Sequence, residues 1–242
     1  MVDKQNKLIV LLPPKTASNS IQNYLYNLGY GWSTPSIKLN FPEIHLTLKE
    51  YCLSFSIDPA DLNNYDIIQI TRNPINRFIS SFYHQQRLLK CELDIEFLLD
   101  KLEECIHLIP NDPKDFYKVF YDQKLDWINS ISNPNKTPYQ DSCYSWGNWG
   151  GLRFYYPQSF WNDLNQNVKY FKLEDIINKK SNFNIFKAKL PWGHIDSFPD
   201  HHKDSIPHLN AASPYNKNFS LSIKNRIYNL FTLDFKLFDY EL

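Results

Sequence analysis

Twice within its first 80 residues the chain runs from an apolar strand through a polar loop into an amphipathic helix. The first unit is Leu8-Ile-Val-Leu-Leu12, then Pro13-Pro14-Lys15-Thr16-Ala17-Ser18-Asn19-Ser20, then a helix with apolar positions Ile21, Tyr24, Leu25 and Leu28 and Gly29 as its stop. Ser18 or Asn19 is suited to cap that helix. The second unit is Asp66-Ile-Ile-Gln-Ile-Thr71, then Arg72-Asn73-Pro74, with a stripe of Ile75, Phe78, Ile79, Phe82 and Tyr83 at helical spacing. Pro74 fits a first helical turn. Strands with no polar alternation are strands buried on both faces, which is the habit of a parallel sheet. Alternating strands and helices therefore predict an α/β fold: a central parallel sheet flanked by helices in three layers.

Each loop sets a cation and hydroxyl or amide groups at the start of a helix, where unsatisfied N–H groups and the helix dipole favour an anion. Two such cradles suggest a ligand with two separated phosphate-type groups. The first is not a Walker loop, which needs two glycines and a lysine just before the helix. Here the lysine precedes the turn and no glycine lies between Met1 and Leu28.

The two motifs together resemble those of sulfotransferases that use 3′-phosphoadenosine 5′-phosphosulfate (PAPS). Pro14-Lys15-Thr16-Ala17-Ser18-Asn19 is similar to the 5′-phosphosulfate loop, and Arg72-Asn73-Pro74 through Arg77 to Ser80 is similar to the 3′-phosphate motif. The style is closest to the carbohydrate sulfotransferases, such as the uronyl 2-O-sulfotransferases. His208 to Ser213, followed by a helix ending near Phe238-Asp239-Tyr240, resembles the usual end of that family. The stretch from Arg87 to Asn167 carries no such likeness.

The resemblance implies a P-loop-like sulfotransferase fold, PAPS as sulfuryl donor and a hydroxyl acceptor, carbohydrate or a small glycosylated molecule. It implies Lys15 on the bridging oxygen and 5′-phosphate, with Thr16, Ala17, Ser18, Asn19 and Ser20 completing that cradle. Arg72 would grip the 3′-phosphate through its planar fork. Ser80, about two helical turns further on, would return to the same phosphate. His45, the sole histidine between the motifs, is the expected general base; Glu43 is the alternative. Arg77 falls outside these contacts and reads as a surface cation or an ion-pair partner. Ala17 stands where most members have glycine; if the position needs φ > 0, alanine strains the loop. Two other functions stay open: an ATP-using P-loop kinase, and a non-catalytic nucleotide- or glycan-binding module.

Composition narrows the rest. A chain of 242 residues buries a substantial core and is most simply one domain, residues 1–242. Twenty-six basic residues balance 26 acidic ones, so no nucleic-acid surface is expected and an anion site must be local. Cys52, Cys91, Cys105 and Cys143 include no Cys-x-x-Cys pair, and the histidines (adjacent His201 and His202 among them) complete no ligand set. No metal is expected. Leu8–Leu12 is too short for a signal-peptide core or a membrane span, so a cytoplasmic location and no membrane partner are expected.

Further elements are expected from pattern. A short helix is expected from Thr47 to Phe55, another through Ile95, Leu98, Leu99, Leu102 and Ile106, and a third from Pro157 to Leu164. A third strand is expected at Val168–Leu173 and a last helix at Ser222–Leu233. Residues 30–43, 130–151 and 188–218 read as loops, the second as a lid. Asn210, Ser213 and Lys217 are candidates to close over the cofactor. Trp146, Trp149, Tyr155, Tyr156, Trp161 and Trp192 could stack on a sugar or an adenine, although aromatics are more often core.

Overall fold

A computed structural model of the protein describes residues 1–27, 29–36, 45–89, 94–105, 154–178 and 219–242. These form two compact units. One comprises Met1–Asn73 and Leu164–Lys217; the other comprises Pro74–Asp163 and Asn218–Leu242.

The first unit is built on a four-stranded sheet of order β1-β2-β3-β4. β1 is Val2–Asp3, β2 Leu8–Leu11, β3 Asp66–Thr71 and β4 Lys169–Lys172. β2, β3 and β4 run parallel, while β1 is antiparallel to β2. The sheet is thus mixed, with the expected parallel part intact. β1 is a hairpin arm too short for any periodic signal. Its turn is held by the Asp3 carboxylate, which accepts from the Asn6 backbone N–H at 2.9 Å and from Asn6 Nδ2 at 2.7 Å.

Helix α1, Ser18–Asn27, follows β2 and lays Ile21, Tyr24 and Leu25 on one face of the sheet. There they meet Leu8, Val10 and Leu12 of the first strand segment, Ile68 and Ile70 of β3, and Leu173 and Ile176 of α5 (Leu173–Asn178). The alternate residues Ile9, Leu11, Ile67 and Gln69 are buried as well, as a strand covered on both faces requires. Helix α2, Leu48–Phe55, matches its expected start: Thr47 accepts from the Glu50 N–H while Glu50 accepts from the Thr47 N–H, a reciprocal capping box.

The second unit contains α3 (Pro74–Leu89), α4 (Ile95–Cys105), a 3₁₀ turn at Gln158–Asn162, α6 (Leu221–Leu230) and α7 (Thr232–Leu237). Arg77 is not at the surface. It is 1% exposed, donates to the carbonyls of Phe154 (3.0 Å) and Tyr156, and lies over the Phe231 ring. Asp234, equally buried, accepts from the backbone N–H groups of Gln158 (2.6 Å) and Ser159 (2.9 Å). Burial pushes the Asp234 carboxyl above its ordinary range, and the Arg77 charge and the two N–H groups oppose that shift. Arg226 on α6 ties that helix to α4 through Glu96, Asp100 and Glu103, at 2.6, 2.6 and 2.7 Å.

Boundaries shift where the sequence signal was weak. The segment after Pro157 is a 3₁₀ turn rather than a longer helix, and the last helix breaks at Phe231 into α6 and α7. Tyr155, Tyr156 and Trp161 are buried and belong to the core. Glu43, Trp146, Trp149, Trp192, Asn210, Ser213, Lys217 and the loops at 130–151 and 188–218 lie outside the described residues.

Candidate active site

Of the site candidates, the Lys15 loop, His45 and Arg72 come together where the parallel strands end. The Leu8–Leu11 strand is followed at once by Leu12, Pro13 and Pro14, all buried, and then by the half-buried Lys15. Thr16 is wholly buried. Its hydroxyl donates to the Pro13 carbonyl at 2.6 Å and its backbone N–H to the same oxygen at 3.3 Å. Thr16 therefore closes the turn. Ala17 comes next, and its carbonyl accepts the Ile21 N–H at 3.0 Å as α1 begins. Ser18 and Ser20 are buried and Asn19 is exposed in the first turn.

Two residues of this loop have left-handed backbones: Lys15 at φ 69° and Ala17 at φ 58°. Side chains with a Cβ resist this region, at a cost of roughly 1–2 kcal/mol each. The question at position 17 is thereby answered: the position does take positive φ, and the alanine bears the strain that a glycine would not. Strain of this kind persists only where surrounding contacts hold it.

One such contact comes from the second motif. Arg72, half-buried just after β3, donates through Nη1 to the Lys15 carbonyl at 2.9 Å, across 57 positions of sequence. The two loops are therefore in direct contact. The next residue is also held: the Asn73 N–H donates to Glu174 Oε1 at 2.9 Å. Glu174 lies in the first turn of α5, immediately after β4. Sequence reasoning missed it. Its signal was positional, since ligands of open α/β sheets sit at the carboxyl ends of the strands, and Glu174 comes just after the third of them.

His45 comes to the same strand end. Its Nδ1 lies 2.8 Å from the Leu12 carbonyl oxygen. A carbonyl only accepts, so Nδ1 carries a proton, and in the neutral ring the basic lone pair is then on Nε2. That bond anchors the ring three residues before Lys15 in sequence. Ser80 lies half-buried on α3, within the second unit. Among the described residues no group of three or more His, Cys, Asp or Glu could hold a metal ion, and no helix is long and apolar enough to cross a membrane.

An α/β sheet with a cation-bearing loop at the end of one strand and an arginine at the end of its parallel neighbour sets two anion-binding side chains side by side at the strands' carboxyl ends. A family model described as the sulfotransferase family matches residues 1–241, and the chain belongs to that family. It is a sulfotransferase, an enzyme of sulfuryl transfer. Searches of curated proteins and of solved structures found no match.

Proposed function

We propose that the protein moves the sulfuryl group of PAPS to a hydroxyl acceptor, carbohydrate in class, and that residues 1–242 work as one sulfotransferase-like domain. The contact of Arg72 with the Lys15 carbonyl carries this reading. It puts side chains suited to a 5′-phosphosulfate and to a 3′-phosphate on two touching loops, which is what a donor charged at both ends requires. The family match, running through both units, supports the single domain.

Sulfuryl transfer resembles phosphoryl transfer: nucleophile and leaving oxygen lie in line, and negative charge grows on the departing phosphate. Lys15 and the N–H groups at the start of α1 answer that charge. Ser18, Asn19 and Ser20 add polar groups at the same helix start. Thr16 and Ala17 shape the turn. Arg72 takes the 3′-phosphate, and Ser80 is assigned to the same group on its spacing along α3. His45 accepts the acceptor's proton at Nε2, the tautomer that its bond to Leu12 enforces.

Calorimetric titration with adenosine 3′,5′-bisphosphate, beside ATP and AMP, tests the donor site. The bisphosphate is expected to bind selectively, and His45→Ala to keep that binding while losing transfer activity. A preference for ATP would sink the donor assignment. Normal turnover by His45→Ala would move the base elsewhere, with Glu43 next.

A further inference from the structure

We propose that Glu174 is a positioning residue for Arg72, so that discrimination in favour of a 3′-phosphorylated nucleotide depends on a carboxylate at the end of β4. The inference rests on the assignment of Arg72 to the 3′-phosphate.

The geometry is specific. Thr71, the last residue of β3, pairs in register with Lys172, the last residue of β4. Glu174 lies two residues later, and its Oε1 accepts the Asn73 N–H at 2.9 Å. Asn73 is bonded to Arg72 on one side and to Pro74 on the other. Pro74 has no N–H, and a proline also narrows the conformations of the residue before it. The backbone that carries Arg72 is thus fixed by strand pairing on one side and by the carboxylate on the other. Its guanidinium is fixed separately, on the Lys15 carbonyl. Hydrogen bonds to an ionised acceptor are the stronger kind.

Charge makes the placement informative. A carboxylate one residue from an arginine meant for a dianion opposes the ligand electrostatically. Glu174 contributes nothing as an anion ligand, so its value at this position lies in what it holds. Both partners sit at the ends of paired strands, which are more precise supports than free loops.

The test compares adenosine 3′,5′-bisphosphate with AMP on wild type, Glu174→Ala and Glu174→Gln. The quantity read is the dissociation constant of AMP divided by that of the bisphosphate, the increment due to the 3′-phosphate. A merely structural residue would weaken both nucleotides together and leave the ratio unchanged. Positioning predicts that Glu174→Ala lowers the ratio about tenfold, the effect of one lost hydrogen bond to a charged group, with AMP binding retained. Glutamine keeps a carbonyl oxygen to accept the Asn73 N–H, so Glu174→Gln is expected to restore the ratio. Should the alanine variant fail to bind AMP, Glu174→Asp serves in its place, keeping the charge and shortening the reach. An unchanged ratio in Glu174→Ala, or in Glu174→Asp where that stands in, overturns the proposal, and so does equal loss in the alanine and glutamine variants, since glutamine keeps an oxygen able to accept the Asn73 N–H. A wild type that does not prefer the bisphosphate fails differently: it removes the donor reading itself.

Discussion

If Arg72 served only as a ligand of the 3′-phosphate, its removal would be silent toward a donor that lacks that phosphate. The bond to the Lys15 carbonyl predicts otherwise. In Arg72→Ala, Lys15 loses a charged donor at 2.9 Å while still holding a backbone at φ 69°. The strain of that backbone is roughly 1–2 kcal/mol. A hydrogen bond from a charged group contributes about 1.5–3 kcal/mol, and the half-buried setting of Arg72 places it at the low end. The two terms are of similar size, so deleting the bond frees Lys15 to leave the left-handed region for most of the time. A loss of about 1.4 kcal/mol of productive geometry is about tenfold in rate. The assay is sulfuryl transfer from adenosine 5′-phosphosulfate, which has no 3′-phosphate, at saturating donor. Arg72→Ala is expected to turn over about tenfold more slowly than wild type on this donor. With PAPS it should show the same fall in kcat together with a raised KM. Equal kcat for the two proteins on the truncated donor would refute the coupling of Arg72 to Lys15.

The left-handed Ala17 predicts an order of stability. Ala17→Gly relieves strain of roughly 1–2 kcal/mol and gives back about 0.4–1 kcal/mol in unfolded-chain freedom, so it should melt at or slightly above wild type. Ala17→Val puts a β-branched residue at φ 58° and should melt several degrees lower; thermal midpoints that rank valine with alanine would contradict the observed loop. Asp234 predicts a pH effect. Its raised carboxyl binds more protons folded than unfolded, so its contribution is complete below the ordinary value of 3.8 and is lost as pH rises through the raised one. Urea midpoints followed from about pH 3 to pH 7 should show wild type losing stability relative to Asp234→Asn as pH rises, and parallel curves would remove that role.

How much was legible in the sequence depended on how local the cause was. The first two parallel strands announce themselves because burial on both faces leaves a dense apolar run, unbroken in Leu8–Leu11 and interrupted only by Gln69 between Ile67 and Ile70. The third strand was read at Val168–Leu173 from a weaker signal, since Lys169 and Tyr170 are exposed. The Val2–Asp3 arm owes its place to a turn held by Asp3 and Asn6 and has no periodicity to betray it. Arg77 shows the limit from the other side. Helical spacing sets it beside the Phe78 stripe, but only the carbonyls of Phe154 and Tyr156, nearly 80 positions on, turn a nominal surface cation into a buried donor. Such a partnership is invisible until the chain is folded.

The same distinction explains the site. Lys15, Arg72 and Ser80 stand in recognisable strings, and His45 is the sole histidine at the place between them where the resemblance implies a base. Their relation was not written in either string. It comes from strand order: because β2, β3 and β4 are adjacent and parallel, their carboxyl ends lie side by side, and the residues just past one strand meet those just past its neighbour. Lys15 lies past the first, Arg72 and Asn73 past the second, Glu174 past the third. The contacts 15–72 and 73–174 are therefore consequences of topology, made between residues 57 and 101 positions apart. A change that shifts the β3–β4 register by one residue should thus disturb Arg72 as surely as a mutation of Arg72 itself. Reasoning from the two motifs alone would give no cause to expect it.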